Sequence, residues 1–271
     1  MIRFFSICLL LNLLSLAAFA EVVYDTTSFD TTLIADFDTR ISFPAASCSL
    51  NYGIRDSMVA GNSATSPYSH YAFLHYNLTW LPQGIDTTVI ITSALDCVYT
   101  ATKTGTPELS CYAIGHDWFE GTYNGVNVVA AATSDSQASC GIWAGWSKSG
   151  GTSVCGQTIP RTQVAWSNPI VRTTPYDTVH VTGAMWCVFD NIVPLVQGLI
   201  NARSDSAFGI AIGRPAANEN ESAQIRTRSH ATTAHRPRLR VAGYYVSSRT
   251  VSTATRNWQR WPWWLHLWRI W

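Results

Sequence analysis

Apolar and polar positions alternate at a period of two residues along much of the chain. Leu74, Tyr76, Leu78 and Trp80 alternate with polar residues, which predicts a half-buried strand over 74–80. Three further segments show similar apolar spacing, at Ile91, Leu95, Cys97 and Tyr99, at Phe208, Ile210 and Ile212, and at Leu239, Val241 and Tyr245. Clusters of Gly, Asn, Ser and Pro separate these runs. We therefore expect many short strands joined by turns.

One stretch has a helical period instead. Its apolar residues follow one another at helical spacing: Ile192, Leu195, Val196 and Leu199. Pro194 suits the first turn of a helix, and Asp190 is placed to accept backbone N–H groups at the helix start. Many strands with one short helix over 190–202 predict an all-β fold, a jelly-roll-like antiparallel β-sandwich.

The first twenty residues differ from the rest. One basic residue, Arg3, precedes an apolar run that ends in Ala18-Phe19-Ala20, which is typical of a secretory signal cut after Ala20. The run is short for a membrane span. We expect a signal peptide over 1–20, a single domain over 21–255 and a tail over 256–271. The predicted location is secreted, either extracellular or at the cell surface.

The composition supports the prediction of many strands and argues against nucleic acid as a partner. Charged residues make up 13% of the chain, the formal net charge is +1, and Thr, Ser, Ala, Val and Gly dominate. β-branched residues favour strands, and no basic stretch of the kind that binds nucleic acid is present in the body. We expect no nucleic-acid partner.

Six cysteines remain once the signal and Cys8 are removed, an even number that implies up to three disulfides in an oxidising compartment. Cys97 and Cys111 flank the turn K-T-G-T-P at 103–107, so a hairpin there would place them opposite each other. Cys140 and Cys155 flank K-S-G-G at 148–151 in the same way. Cys48 and Cys187 are then paired by elimination only, because six cysteines allow fifteen pairings. Zinc is the weaker interpretation, since no C-x-x-C pair occurs.

Two sequons, Asn77-Leu78-Thr79 and Asn220-Glu221-Ser222, are candidates for N-glycosylation in a host that glycosylates. Asn77 falls on the polar face of its predicted strand, which would accommodate a glycan.

A series of short motifs follows along the chain. They are A-D-F-D-T-R-I-S at 35–42, N-Y-G at 51–53, F-L-H-Y-N-L-T-W-L-P-Q-G at 73–84, W-F-E-G-T-Y-N-G at 118–125, G-W-S-K-S-G-G at 145–151, A-W-S-N-P at 165–169, W-C-V-F-D-N-I-V-P-L-V-Q-G-L-I at 186–200, F-G-I-A-I at 208–212 and R-P-R-L-R-V at 236–241. In their order and spacing these segments resemble the DNRLRE-type secreted β-sandwich, a module related to some polysaccharide-binding modules. The family's Ser-Arg-Glu-like element is T-R-S-H at 227–230 here, without the acid. The resemblance implies a non-catalytic, carbohydrate-binding β-sandwich.

Candidate sugar contacts come from tryptophans near Gly-rich turns, because aromatic faces stack on the apolar faces of sugars. They are Trp143, Trp146 and Trp166, with Lys148 and Arg161 nearby for charge-assisted bonds to acidic groups. Burial in the core is the competing interpretation for each tryptophan, and a solvated loop is the competing interpretation for each cation.

Catalytic and metal signatures are weak. The sequence has no G-x-S-x-G, H-E-x-x-H or phosphate-loop motif. Asp117 and Glu120 could form an acid/base pair, but a polar loop with Trp118 in the core is the favoured interpretation. His230 and His235 are interpreted as surface histidines. A structural calcium ion is compatible with a secreted sandwich, yet no loop has the repeated oxygen-ligand spacing, and no other cofactor is expected.

The tail over 256–271 holds six of the twelve tryptophans and three arginines. This composition favours a membrane interface, and a sorting tail or an out-of-frame gene end are the alternatives.

The sequence as a whole predicts a non-enzymatic binding module for an extracellular or cell-wall polysaccharide. A structural or adhesive surface protein that binds protein partners, and a small polysaccharide lyase or glycoside hydrolase, remain open as alternatives.

Overall fold

The computed structural model describes residues 20–43, 50–51, 53–63, 68–82, 84, 86–114, 118, 120, 126–127, 143–146, 152–154, 157–159, 163–165, 174–202, 209–214 and 220–252. In this part of the chain the fold is almost entirely antiparallel β, with a single short α-helix, α1 at Val193–Asn201. The strands are β1 Ala20–Ile34, β2 Phe37–Phe43, β3 Leu50–Asn51, β4 Ser57–Ser63, β5 Tyr68–His75, β6 Thr87–Thr104, β7 Glu108–Ala113, β8 Val126–Asn127, β9 Trp143–Trp146, β10 Thr152–Val154, β11 Gln157–Ile159, β12 Gln163–Ala165, β13 Asp177–His180, β14 Met185–Phe189, β15 Ile210–Gly213, β16 Ser222–Arg226 and β17 Arg238–Ser252.

Eleven of these strands form one curled sheet in the order β1-β17-β6-β16-β4-β5-β15-β7-β13, with β14 added to β6 and β2 added to β5. Three two-stranded ladders, β10-β11, β12-β9 and β3-β8, complete the described strands. The prediction of an all-β, antiparallel, sandwich-like fold with one short helix is confirmed.

The core lies on both faces of β5. On one face, Tyr71 and Phe73 pack with Tyr112 and Trp118, whose ring lies 5.7 Å from that of Phe73. On the other face, Leu74 is fully buried, and just beyond the strand Tyr76 donates a hydrogen bond of 2.6 Å from its hydroxyl to Asp96 on β6. Both faces of β5 are therefore buried from His70 to Leu74, so the strand has no solvent-exposed polar face there. The predicted placement of Trp118 in the core is confirmed.

The helix begins close to its predicted position, and its predicted apolar residues are buried: Ile192, Leu195, Val196 and Leu199. Asp190 does not cap it. The N-cap residue is Ile192, which makes no side-chain cap bond. Instead Asp177 Oδ2 accepts from the backbone N–H groups of Asp190 and Asn191 at 2.7 and 3.3 Å. The carboxylate at the helix entrance thus comes from β13.

The predicted strand over 74–80 is wrong beyond His75, where β5 ends. Asn77 Oδ1 accepts hydrogen bonds from the backbone and hydroxyl of Thr79, and Leu81 N–H donates to Leu78 O, so 77–81 forms a turn. Asparagine side chains commonly stabilise turns in this way. The apolar alternation continued into the turn by chance, and Trp80 is 40% exposed.

The residues that the period of two predicts on the apolar face of β6 do not all face the core. Val89 and Ile91 face the core, but Thr92 and Ser93 are both exposed, and after them the buried positions are the even ones: Ala94, Asp96, Val98 and Thr100. Leu95, Cys97 and Tyr99 are only half-buried. A shift of one residue exchanges the two faces of a strand.

The two predicted hairpins do not form among the described strands, and the second predicted turn, at 148–151, lies outside the described residues. Gly105 has φ +67°, which favours glycine, and it ends β6 as predicted. However, β7 pairs with β13 and β15, while β6 pairs with β14 and β16. Likewise β9 pairs with β12, and β10 pairs with β11.

The predicted bridge between Cys97 and Cys111 is therefore wrong, because both edges of β7 at Cys111 are occupied by other strands. Cys97, Cys111 and Cys187 are free thiols. Cys187 accordingly does not pair with Cys48. Cys48, Cys140 and Cys155 lie outside the described residues, so the bridge between Cys140 and Cys155 stays a prediction.

Contacts divide the chain into two units, 28–81 with 89–244, and 1–27 with 82–88 and 245–271. In the smaller unit, Ser248 N–H donates to Asp86 O at 2.9 Å, and Arg249 pairs with Asp25 at 3.1 Å. No helix among the described residues is long and apolar enough to cross a bilayer. Of the predicted signal peptide over 1–20, only Ala20 is described, as the first residue of β1, and the predicted tail over 256–271 lies outside the described residues.

Candidate functional site

The predicted sugar-binding residues lie largely outside the described part of the chain. Trp143 and Trp146 begin and end β9, opposite Ala165 and Gln163 of β12, but only their backbone is described. Trp166, Lys148 and Arg161 are not described. That site stays a prediction.

A cluster that was not predicted stands on the outer face of the larger unit. We define the aromatic platform as Tyr99 on β6, Trp186 on β14, Arg238 on β17 and His235 in a 3₁₀ turn at Thr233–His235. The ring of His235 stacks on Tyr99 with centroids 3.9 Å apart and planes within 3°. Trp186 meets Tyr99 edge-on at 5.5 Å, and the Arg238 guanidinium lies 5.4 Å from the Trp186 ring centroid. All four side chains are half-exposed.

Strand alternation places these side chains outward. Trp186 is directly opposite Tyr99 in the β14-β6 ladder, and their neighbours Cys187, Val98 and Thr100 are buried on the inner face. On β17 the fully buried Leu239 follows Arg238, so Arg238 lies on the outer face. Cross-strand aromatic pairs of this kind add about 0.2–1 kcal/mol to a sheet.

Hydrogen bonds hold the 3₁₀ turn against the sheet. Arg238 donates to Ala234 O at 2.7 Å, and Arg236 Nε donates to His230 O at 3.0 Å. Because both guanidiniums bind neutral carbonyls, their charge is not cancelled by a carboxylate among the described residues. Arg240, next on the outer face of β17, is paired with Asp30 at 2.6 Å. The platform therefore combines aromatic surface with net positive charge.

The platform has the groups needed to bind a ligand. Aromatic rings cover apolar ligand faces, and a guanidinium donates charge-assisted bonds. The nearest candidate nucleophile is Cys97, two residues from Tyr99. Burial raises the pKa of its thiol, and the Asp96 carboxyl raises it further, so the thiol stays protonated at neutral pH.

A second cluster, of charged groups, lies at the inner edge of β2. Glu120 receives the Asp38 backbone N–H at 2.8 Å and forms a two-pronged ion pair with the Arg228 guanidinium. Arg228 N–H in turn donates to Asp38 Oδ2. Asp38 is fully buried, and burial raises the pKa of its carboxyl to about 7.

This charged cluster joins two of the segments that carry the family resemblance, 35–42 and 118–125, to the T-R-S-H stretch at 227–230, through Asp38, Glu120 and Arg228. The Arg228 side chain pairs with the carboxylate of Glu120, because its own stretch, T-R-S-H at 227–230, contains no acid. Glu120 is engaged in the ion pair and its side chain is 8% exposed, which favours a structural role over half of an acid/base pair. Asp117 lies outside the described residues.

Metal ligation finds no support in the part of the chain the structure describes. His230 and His235 have rings 5.9 Å apart, and no group of three or more His, Cys, Asp or Glu side chains that could hold an ion occurs there. His235 is used as a stacking partner of Tyr99.

Searches against protein-family models and against curated proteins find no match for this chain.

The sequence pattern does not predict the platform. The period of two groups Tyr99 with the apolar residues Leu95 and Cys97, and the family resemblance places Trp186 only in a strand that leads into the helix. The available signal was the pair of polar residues Thr92 and Ser93, which breaks the period of two and turns Tyr99 outward.

Proposed function

We propose that the protein is a non-catalytic, secreted binding module that holds a polysaccharide or cell-surface glycan against the aromatic platform. The observation that supports this most is the half-exposed pairing of Tyr99 and Trp186 beside an arginine without a carboxylate partner among the described residues. Binding surfaces are enriched in Trp, Tyr and Arg because these side chains give large contact area and directed hydrogen bonds.

The resemblance to the DNRLRE-type family supports the same proposal. Its segments at 35–42, 186–200, 208–212 and 236–241 fall on β2, on β14 with α1, on β15 and on β17. Fold resemblance alone does not assign a ligand, so the proposal depends on the platform.

A panel of soluble and insoluble polysaccharides, scored by retention of purified protein, tests the proposal. We expect the wild type to be retained by at least one glycan, and Trp186→Ala to weaken that binding about tenfold or more, equivalent to about 1.4 kcal/mol. Arg238→Gln should weaken it as well.

Trp80→Ala is the matched control, because Trp80 is an exposed tryptophan of the same unit that contacts Phe29, 5.4 Å away, and lies outside the platform. It should leave retention unchanged. Circular dichroism and the melting temperature of each variant establish that it is folded. Equal losses in Trp80→Ala and Trp186→Ala, or no retention of folded wild type on any glycan, would count against the proposal.

A further inference from the structure

The turn that ends β5 carries the first of the two sequons on the surface of the larger unit. Asn77 and Thr79 are both exposed, directly after the buried Tyr76. The structure therefore places the sequon outside the sheet, where β5 leaves the core.

The side chains of the sequon are already arranged with respect to each other. Asn77 Oδ1 accepts from Thr79 Oγ1 at 2.6 Å and from Thr79 N–H at 2.9 Å. Both donors approach the oxygen of the carboxamide, and within the described residues its nitrogen, Nδ2, makes no hydrogen bond. Donation to the oxygen draws electron density from the amide and makes the Nδ2 protons easier to lose.

An exposed aromatic residue, Trp80, directly follows the sequon in the sequence. Trp80 is 40% exposed, and among described aromatic groups it contacts only Phe29, in a T-shaped arrangement with ring centroids 5.4 Å apart. Indole faces pack well against the apolar face of a sugar ring. A sugar attached in this turn would cover surface that the protein itself leaves open.

The second sequon has a different setting. Ser222 belongs to β16 and is paired with Gly61 on one side and Thr104 on the other. Glu221, which stands between Asn220 and Ser222, forms an ion pair with Arg214. Its carboxylate also accepts a hydrogen bond from Thr106 Oγ1 at 3.0 Å, and its backbone carbonyl accepts one from Asn62 N–H at 2.7 Å. Asn220 is exposed and precedes β16, but the Ser222 that would complete its sequon lies inside the sheet, and Glu221 between them is held by these contacts.

We infer that Asn77, and not Asn220, is an N-glycosylation site of this protein, and that the attached glycan covers Trp80. In the reaction, Asn77 Nδ2 bonds to C1 of the first sugar of a polyprenyl-diphosphate oligosaccharide. The bond from C1 to the diphosphate oxygen breaks, and the amide nitrogen loses one proton, which leaves with the diphosphate.

Expression of residues 21–271 behind the secretion leader of a glycosylating host tests the inference without relying on the chain's own leader. The intact mass of protein from the medium should exceed that of the polypeptide by one glycan. Peptide N-glycosidase should remove it and leave aspartate at position 77, which peptide mapping locates. An unmodified Asn77 in this folded, secreted material would overturn the inference.

Variants separate the two sequons and the role of the hydroxyl. Asn77→Gln and Thr79→Ala should abolish the added mass, whereas Thr79→Ser and Asn220→Gln should retain it. Enzymatic removal of the glycan should lower the melting temperature of the wild type but not that of Trp80→Ala. An equal decrease in both proteins would contradict the claim that the glycan covers Trp80, and a glycan retained in Asn77→Gln would contradict the site.

Discussion

Asp96 holds a carboxyl group in the interior of the sandwich with little to stabilise a charge. Its Oδ1 accepts from the Tyr76 hydroxyl, and its Oδ2 has no hydrogen-bond partner among the described groups. Cys111 and Cys97 are the other titratable groups beside it, and both are neutral thiols. Burial therefore raises the pKa of Asp96 to about 7.

This shift predicts a definite pH dependence. Because the folded pKa lies above the unfolded value of 3.8, the folded state binds more protons between those values, so stability is largest in acid and is lost as pH rises towards 7. The slope is about 1.4 kcal/mol per pH unit for one group. Asp38 acts in the same direction. His70, whose pKa burial lowers to about 4, acts in the opposite direction.

Asp96→Asn removes one titrating group, so the difference in stability between variant and wild type reports the contribution of Asp96 alone. We expect the denaturant midpoint of the variant to rise progressively relative to that of the wild type from pH 4 to pH 7. Above pH 7 the difference between the two midpoints should stay nearly constant. Asp190→Asn, at an exposed position, is the control and should run parallel to wild type. Parallel curves for Asp96→Asn would show that Asp96 has an ordinary pKa.

At the scale of elements, α1 closes one edge of β6 with a side chain. Gln197 Oε1 accepts from Ile91 N–H at 2.9 Å, and Gln197 Nε2 donates to Val89 O at 3.0 Å. The amide thus takes the place of a neighbouring strand for one residue pair. An unsatisfied backbone group at this edge would cost about 1–3 kcal/mol if water could not reach it.

Adjacent positions on α1 should respond with opposite signs. Gln197→Leu should lower the free energy of unfolding by about 1–3 kcal/mol because it removes both bonds. Gly198→Ala should raise it by up to about 1 kcal/mol, since a Cβ there meets nothing within 4 Å and alanine is the better helix former. Denaturant titration of the two variants measures both effects. A Gln197→Leu protein as stable as wild type would show that the amide is dispensable.

The helix is predictable from the sequence and the extents and faces of the strands are not, for physical reasons. The helix was predictable because its apolar spacing depends on one local period, and Val193–Asn201 lies within the predicted range. The strand over 74–80 was not, because the Asn77 side chain stabilises a turn that hydrophobic spacing does not report. The faces of β6 were exchanged by one irregularity at Thr92 and Ser93.

At the scale of the molecule, consecutive strands often fail to pair. Sequential strands are neighbours in most proteins, which is why the segments around 103–107 were expected to form a hairpin. Here β6 and β7 join different parts of the curled sheet. Strand order depends on which faces pack together across the whole domain, and no local pattern reports it. The platform depends on the same order, since it needs β14, β6 and β17 side by side.

The thiols give a direct test of this strand order. In native protein we expect an alkylating reagent to modify Cys97, which is half-buried, faster than Cys111 and Cys187, which are buried and whose pKa burial raises. All three should react after unfolding. Peptide mapping under non-reducing conditions gives the readout, and a Cys97–Cys111 disulfide found there would contradict the placement of β6 and β7.

The β16-β4 ladder has a consequence for how the molecule is made. Gln224 Nε2 donates to Ser57 Oγ at 2.6 Å, across 167 positions of the chain. A ladder of such high contact order closes slowly, because a long loop must lose its freedom before any pairing is gained. During synthesis, β4 leaves the ribosome long before its partner is translated. The nascent polypeptide must therefore keep one side of β4 unpaired until residues 222–226 have been translated.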